Sequence, residues 1–264
     1  MKGMLLSIWQ YRNFVLSSIR GELRGRFARS RLGAFWFILH PLAQAAIFAL
    51  VLAEVLGAKI PGIANKAGYA VYVMAGMAAW GLFAEILNRS MTVFLDYAGM
   101  LKKLAFPRLC LPIIIWGGAL INHVLLLAAI AVVFAFFGYY PGLSWLALPF
   151  GLILISTFAF GIGVLLGVFN VFSRDVAQVT TIVLQLWFWL TPIVYPLEAI
   201  PKDFRWVVEI NPMTPLVQIY QNALLHDQWP QSPPLVIPAL LATTLLVTAF
   251  TVFRRASSEM VDAL

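Results

Sequence analysis

Long apolar runs, broken by short basic or proline-rich stretches, organise this chain. A helix needs about 20 mostly apolar residues to cross roughly 30 Å of hydrocarbon. Six runs approach that length, at about Gly33–Leu56, Tyr69–Leu87, Leu111–Phe137, Trp145–Phe169, Val179–Val194 and Leu235–Phe253. The expected fold is an all-α integral membrane protein with six transmembrane helices. The fifth run is short, and Pro196, Pro201, Pro212 and Pro215 follow it among Trp206, Val207, Val208 and Ile210. That mixture predicts outer helices that dip into the membrane and return, their backbone covered by protein or water. An external loop with interfacial helices is the alternative. Before the first run, Ile8, Tyr11, Val15, Ile19 and Leu23 recur at helical steps among Arg12, Arg20 and Arg24. This predicts an amphipathic helix in the interface, its basic side chains reaching toward lipid headgroups. Residues 1–32 are thus an interfacial segment, 33–253 the transmembrane domain and 254–264 a tail. The first thirty-odd residues do not have the form of a signal peptide.

Composition reinforces the pattern. The chain is 62% apolar and 11% charged, whereas soluble domains run about 45–50% and about 25%. The net charge of +7 is a topology signal and not a nucleic-acid patch. Fourteen of the 18 Lys and Arg residues fall before span one, between spans two and three, between four and five, and after six. Basic loops stay in the cytoplasm, so both termini are expected there, in a multi-pass protein of a bacterial inner membrane.

Catalytic signatures are missing. The sequence has no phosphate loop, no His-Glu-x-x-His and no Gly-x-Ser-x-Gly elbow. His40, His123 and His226 lie on separate segments, and the lone Cys110 excludes a multi-cysteine metal site. Gly161, Gly163 and Gly167 imitate a dinucleotide fingerprint, yet inside an apolar span such glycines serve close helix packing. Glu85 and Arg89 stand four apart, a spacing for an ion pair, and Glu54 lies near the outer end of span one. No ladder of intramembrane carboxylates suggests proton coupling.

Between spans two and three runs Leu101-Lys102-Lys103-Leu104-Ala105-Phe106-Pro107-Arg108-Leu109-Cys110-Leu111-Pro112, a basic segment expected to present an exposed Phe-Pro. By itself it fits anionic lipid or a cleft on a cytoplasmic partner equally. The run resembles the coupling-helix signature of polysaccharide-export permeases, the type-2 ABC membrane subunits that move O-antigen, capsule or teichoic acid chains. Three more stretches carry the resemblance: Gly161 through Asn170-Val171-Phe172-Ser173-Arg174-Asp175-Val176, Thr191-Pro192-Ile193-Val194-Tyr195-Pro196, and Asn211-Pro212-Met213-Thr214-Pro215 with Tyr220 behind it. It covers the whole chain in order and spacing.

The resemblance implies a pair of identical permeases bound to two copies of a separate cytoplasmic ABC ATPase. It implies no cofactor in this chain, with ATP and Mg on the partner, and a cargo of glycan on undecaprenyl diphosphate, O-antigen foremost. Leu101, Lys102, Lys103, Phe106, Pro107 and Arg108 would meet the ATPase, with Arg174 and Asp175 at a second contact or gate. Periodicity adds a conduit. Phe37, His40, Gln44 and Phe48 share one face of span one, and Gln178, Thr181, Gln185 and Trp189 one face of span five. Amides and imidazole are costly against lipid, so these stripes should face protein or water, and with Tyr195 they suit a sugar chain. Ordinary helix contacts, or an interfacial aromatic belt for Trp187, Trp189, Tyr139, Tyr140 and Tyr195, remain the plainer alternative. Rival functions are export of another cargo (capsule, teichoic acid, drug or lipid) and a membrane enzyme acting on undecaprenyl-linked sugars.

Overall fold

A computed structural model describes residues 9–28, 39, 43, 46, 47, 51, 66–103, 106–136, 138, 140 and 142–264. Among them the chain is helical, with no strand. The helices are α1 (Arg12–Ala28), α2 (Lys66–Asp96), α3 (Ala98–Lys103), α4 (Cys110–Phe136), α5 (Leu148–Phe172), α6 (Asp175–Trp189), α7 (Arg205–Ile210), α8 (Met213–Gln221), α9 (Ser232–Ala256) and α10 (Glu259–Ala263). Four stretches among the described residues are long and apolar enough to cross a membrane: Gly68–Asp96, Cys110–Ala135, Leu143–Phe172 and Ser232–Ala256. The predicted span Gly33–Leu56 lies outside the described residues but for isolated positions. The predicted fifth span shifts toward the N-terminus and shortens to α6. Pro192 has no N–H to continue the ladder, and the chain unwinds after Trp189 although it stays apolar.

Helix α2 is the central post, packed on α4, α5 and α8, while α5 also carries α9 on its other side. The glycine triplet makes these approaches close, as its position inside a span implies. A Cβ on Gly161 would stand 3.0 Å from the Leu246 backbone nitrogen of α9. On Gly163 it would stand 2.8 Å from the Ser90 Cβ, and on Gly167 2.6 Å from the Ser90 carbonyl oxygen, both on α2. An aromatic cluster seams α6 to this core. Phe83 lies 5.2 Å from Trp187 and 5.7 Å from Phe158, and Trp80 lies 5.7 Å from Phe188. Trp187 is therefore half-buried against the core.

Two segments depart from simple expectation. The apolar stripe of α1 does not merely float on lipid, because Val15 and Ile19 are buried against Cys110 and Ile114 of α4. The proline-rich stretch after α6 divides in two. Phe204, Trp206 and Ile210 are exposed, as on a surface helix. Met213, Leu216, Val217 and Tyr220 of α8 are buried among the long helices. There the Tyr220 hydroxyl meets His123 Nε2 of α4 at 2.9 Å. The tail also folds back: α10 buries Met260, and Phe253 at the end of α9 stacks on Phe94 at 5.6 Å.

Candidate coupling surface and conduit

One end of the bundle gathers Lys102, Lys103, Arg108, Arg174, Arg254 and Arg255, at the C-terminal ends of α3, α5 and α9 and the start of α4. Leu101 is buried and anchors α3, and this leaves Lys102 and Lys103 in its last turn exposed. Phe106 is not the exposed knob that the sequence suggests. It is half-buried, and its ring lies 5.6 Å from Phe14 of α1. Pro107 and Arg108 are also half-buried, and Arg108 donates to Ser257 Oγ at 2.9 Å, joining the start of α4 to the tail. Arg174 and Asp175 form the tight, exposed turn between α5 and α6. Beneath that turn, buried Asn170 donates to the Met91 carbonyl at 3.1 Å and ties α5 to α2.

Above the basic end lies a charge cluster only half of which the sequence revealed. Arg89 donates to Glu85 at 3.1 Å, the expected i,i+4 pair, and also to Glu22 of α1. Asn122 of α4 donates to the same Glu85 oxygen at 3.1 Å. Three helices thus meet at one charge cluster, α4 joining it through the Glu85 carboxylate, and each of these charged side chains is less than a third exposed. A glycine makes room: a Cβ on Gly118 of α4 would stand 3.3 Å from the Glu22 carboxylate.

The predicted conduit residues divide by helix. Phe37, His40, Gln44 and Phe48 lie outside the described residues. On α6, Gln178, Thr181, Gln185 and Trp189 are all exposed on one flank. Only Thr180 and Leu184 are buried, and Val179, Ile182, Val183 and Leu186 form a separate exposed apolar flank. The Thr181 hydroxyl donates to the Ala177 carbonyl at 2.9 Å, while the Gln178 and Gln185 amides bond to nothing among the described residues. Tyr195 donates to the Trp189 carbonyl and closes the end of α6. Among the described residues no three His, Cys, Asp or Glu side chains gather as metal ligands.

Sequence reasoning missed the joint beyond α6. Asn211 uses its whole amide: Oδ1 accepts from Trp187 Nε1 at 2.8 Å and from the Met213 N–H at 2.9 Å. Its Nδ2 donates to the Leu190 carbonyl at 3.0 Å and to Thr191 Oγ1 at 2.9 Å. Tyr72 donates toward the Pro192 and Tyr195 carbonyls, Tyr69 donates to Val194, and Gln221 donates to Pro192 at 3.0 Å. The available signal was Asn-Pro at a helix start, where an Asn side chain caps the N–H two residues on.

Comparison with known proteins agrees with this architecture. An O-antigen export system permease protein, RfbA, from Myxococcus xanthus is 26% identical over 263 residues, 99% of each chain. One of the same name from Klebsiella pneumoniae is 29% identical over 216 residues, 79% of this chain and 80% of that one. A polysialic acid transport protein, KpsM, from Escherichia coli is 23% identical over 247 residues, 92% of this chain and 93% of that one. The family profile described as ABC-2 type transporter matches residues 14–225, most of the sequence, and the chain belongs to that membrane family.

Proposed function

We propose that this chain is the permease subunit of an ATP-driven exporter of polysaccharide carried on undecaprenyl diphosphate, with O-antigen as the cargo. Two copies would enclose the conduit, each contributing the polar flank of α6 and the stripe Phe37, His40, Gln44 and Phe48 of the preceding span. The carrying observation is the exposed pair of amides on Gln178 and Gln185, which bond to nothing among the described residues. Elsewhere the outer faces suit lipid: Val124 and Val132 on α4, and Val236, Leu240 and Val247 on α9, are apolar. The exposed Thr243, Thr248 and Thr251 hydroxyls all bond to carbonyls of their own helix. Amides facing hydrocarbon with no partner would each cost several kcal/mol, of order 2–7. Water and sugar hydroxyls satisfy them instead, while the apolar flank of α6 packs on a second copy or on lipid.

Energy would come from two copies of a cytoplasmic ATPase, met by Lys102, Lys103, Phe106, Pro107 and Arg108, with the Arg174–Asp175 turn as a second contact. The basic excess at this end supports a cytoplasmic placement of it and of both termini. The names of the relatives support the glycan cargo. In this setting α8 sits at membrane depth as the re-entrant segment, its backbone covered by α2, α5 and α9.

The conduit is tested by cysteine chemistry. Cysteines at Gln185 and Trp189, in a background with Cys110 replaced, should react with a bulky water-borne thiol reagent. Surface polysaccharide should fall sharply while ATPase assembly persists. Val132, exposed on the lipid-facing side of α4, is the control. Labelling at Gln185 no faster than at Val132 would overturn the assignment.

A further inference from the structure

At the end of the bundle opposite the basic cluster, α8 and the start of α9 enclose a cavity of about 290 Å³. Gln218 of α8 and Asn222, the residue just past its end, form one wall, and Gln228 and Gln231 from the following loop form another. Pro215 and Pro234 supply stiff apolar surface. Gln218 and Asn222 are half-buried, whereas Gln228 and Gln231 are exposed. None of the four side-chain amides bonds to any described residue. Among the described residues no charged side chain lines the cavity.

A purely structural role fits poorly. Amides kept for packing would bond to backbone or to each other, as Asn211 and Gln221 do nearby in the sequence. Four amides converging on one space, each offering both donors and an acceptor, match a ligand whose groups also do both. Sugar hydroxyls are such groups. The C–H faces of a pyranose suit the proline walls, and the volume lies near the lower limit for small-ligand pockets, room for a single ring. An anionic sugar would call for Arg or Lys, which pair with carboxylates far better than amides do.

We propose that this amide cradle is a binding site for uncharged sugar units, taking the glycan as it leaves the conduit and disfavouring acidic polysaccharides. The inference rests on the export reading above and deepens it, because it assigns the cargo a charge class. Weak binding suits the role, since a chain held firmly at one unit could not advance.

The test uses the purified permease–ATPase complex in lipid nanodiscs and saturation-transfer NMR. The probes are neutral oligosaccharides of mannose, glucose and galactose, with a polysialic acid oligomer of similar length. At least one neutral probe should bind, and the acidic one should not. The double variant Gln218→Leu with Asn222→Leu removes two sets of hydrogen bonds and should weaken neutral binding roughly tenfold. Single variants Gln228→Leu and Gln231→Leu should each weaken it less, which guards against a misfolded double variant. Three outcomes overturn the cradle: no neutral probe binding to the native complex, polysialic acid binding as well as the neutral probes, or undiminished binding in all the variants. The export reading fails separately, if cells lacking this chain keep their surface polysaccharide.

Discussion

Replacing Gly167 by alanine isolates the close packing of α5 on α2. A Cβ there falls 2.6 Å from the Ser90 carbonyl oxygen and 3.2 Å from the Phe94 ring. The oxygen belongs to helix backbone and cannot swing aside, so the two central helices must part by several tenths of an ångström. Overpacking of this kind costs about 1–3 kcal/mol, and the better helix propensity of alanine returns up to about 1 kcal/mol. The expected net loss is about 1–2 kcal/mol. At about 2–4 °C per kcal/mol for a chain of this size, the melting temperature should fall by roughly 2–8 °C. Two companions calibrate the result. On Gly117 the Cβ would meet only the Cδ1 of Ile19 at 2.6 Å, a flexible tip that can turn away, and on Gly81 it meets no described atom within 4 Å. The order of melting should therefore be Gly167→Ala lowest, Gly117→Ala intermediate, and Gly81→Ala at or above the native protein. Cys110 is the only cysteine and is buried, so a dye that fluoresces on reaction with thiols reads the transition as it labels the newly exposed thiol. A Gly167→Ala protein that melts with Gly81→Ala would refute the claim that this contact sets the helix spacing.

Charge reversal at the exposed pair, Lys102→Glu with Lys103→Glu, should leave melting within about 0.5 kcal/mol of native. It should abolish stimulation of the ATPase partner, and unchanged ATP turnover and export would reject the coupling role. Phe106→Asp should lower both turnover and melting temperature, because its ring also holds Phe14 of α1. A normal melt would show that this contact contributes nothing. With Cys110 replaced, a cysteine at Ser232 should react with an impermeant reagent in intact spheroplasts. Cysteines at Ser173 and Ser258 should react only after lysis, and early labelling at Ser173 would invert the orientation.

The long helices were legible because hydropathy reports what must leave water, and α2, α4, α5 and α9 each leave it along most of their length. Gly161, Gly163 and Gly167 were legible for a related reason, since small residues within an apolar span have few uses besides close approach. Hydropathy misplaced α6, where Leu190, Ile193 and Val194 keep the run apolar although Pro192 stops the hydrogen-bond ladder. It did not separate α8 from the rest of the proline-rich stretch, where prolines and polar residues dilute a segment whose Met213, Leu216, Val217 and Tyr220 are buried. Pairings across elements were beyond a local reading. Glu85 with Arg89 follows from a spacing of four, whereas Glu22 lies 67 residues from Arg89. The exposure of Phe106 was misjudged for the same reason, because Phe14 lies on another helix. On α6, periodicity placed Gln178, Thr181, Gln185 and Trp189 on one flank, and the structure shows that flank exposed among the described residues.

Helix α6 has 15 residues, which reach roughly 22 Å at about 1.5 Å each, against roughly 30 Å of hydrocarbon. Residues 190–196 continue the chain beyond α6 without a helix of their own. An ordinary span settles its peptide carbonyls internally, so its side chains can change without disturbing them. Here the carbonyls of Leu190, Pro192, Val194 and Tyr195 depend on Tyr69, Tyr72, Asn211 and Gln221, groups borrowed from other parts of the chain. Removing one phenolic hydroxyl, as in Tyr72→Phe, therefore takes a donor from the Tyr195 carbonyl, 123 positions away in sequence, and leaves the Pro192 carbonyl to Gln221. Genetic lesions in α2 would then surface as defects at the far end of α6, and suppressors of either should be sought in the other.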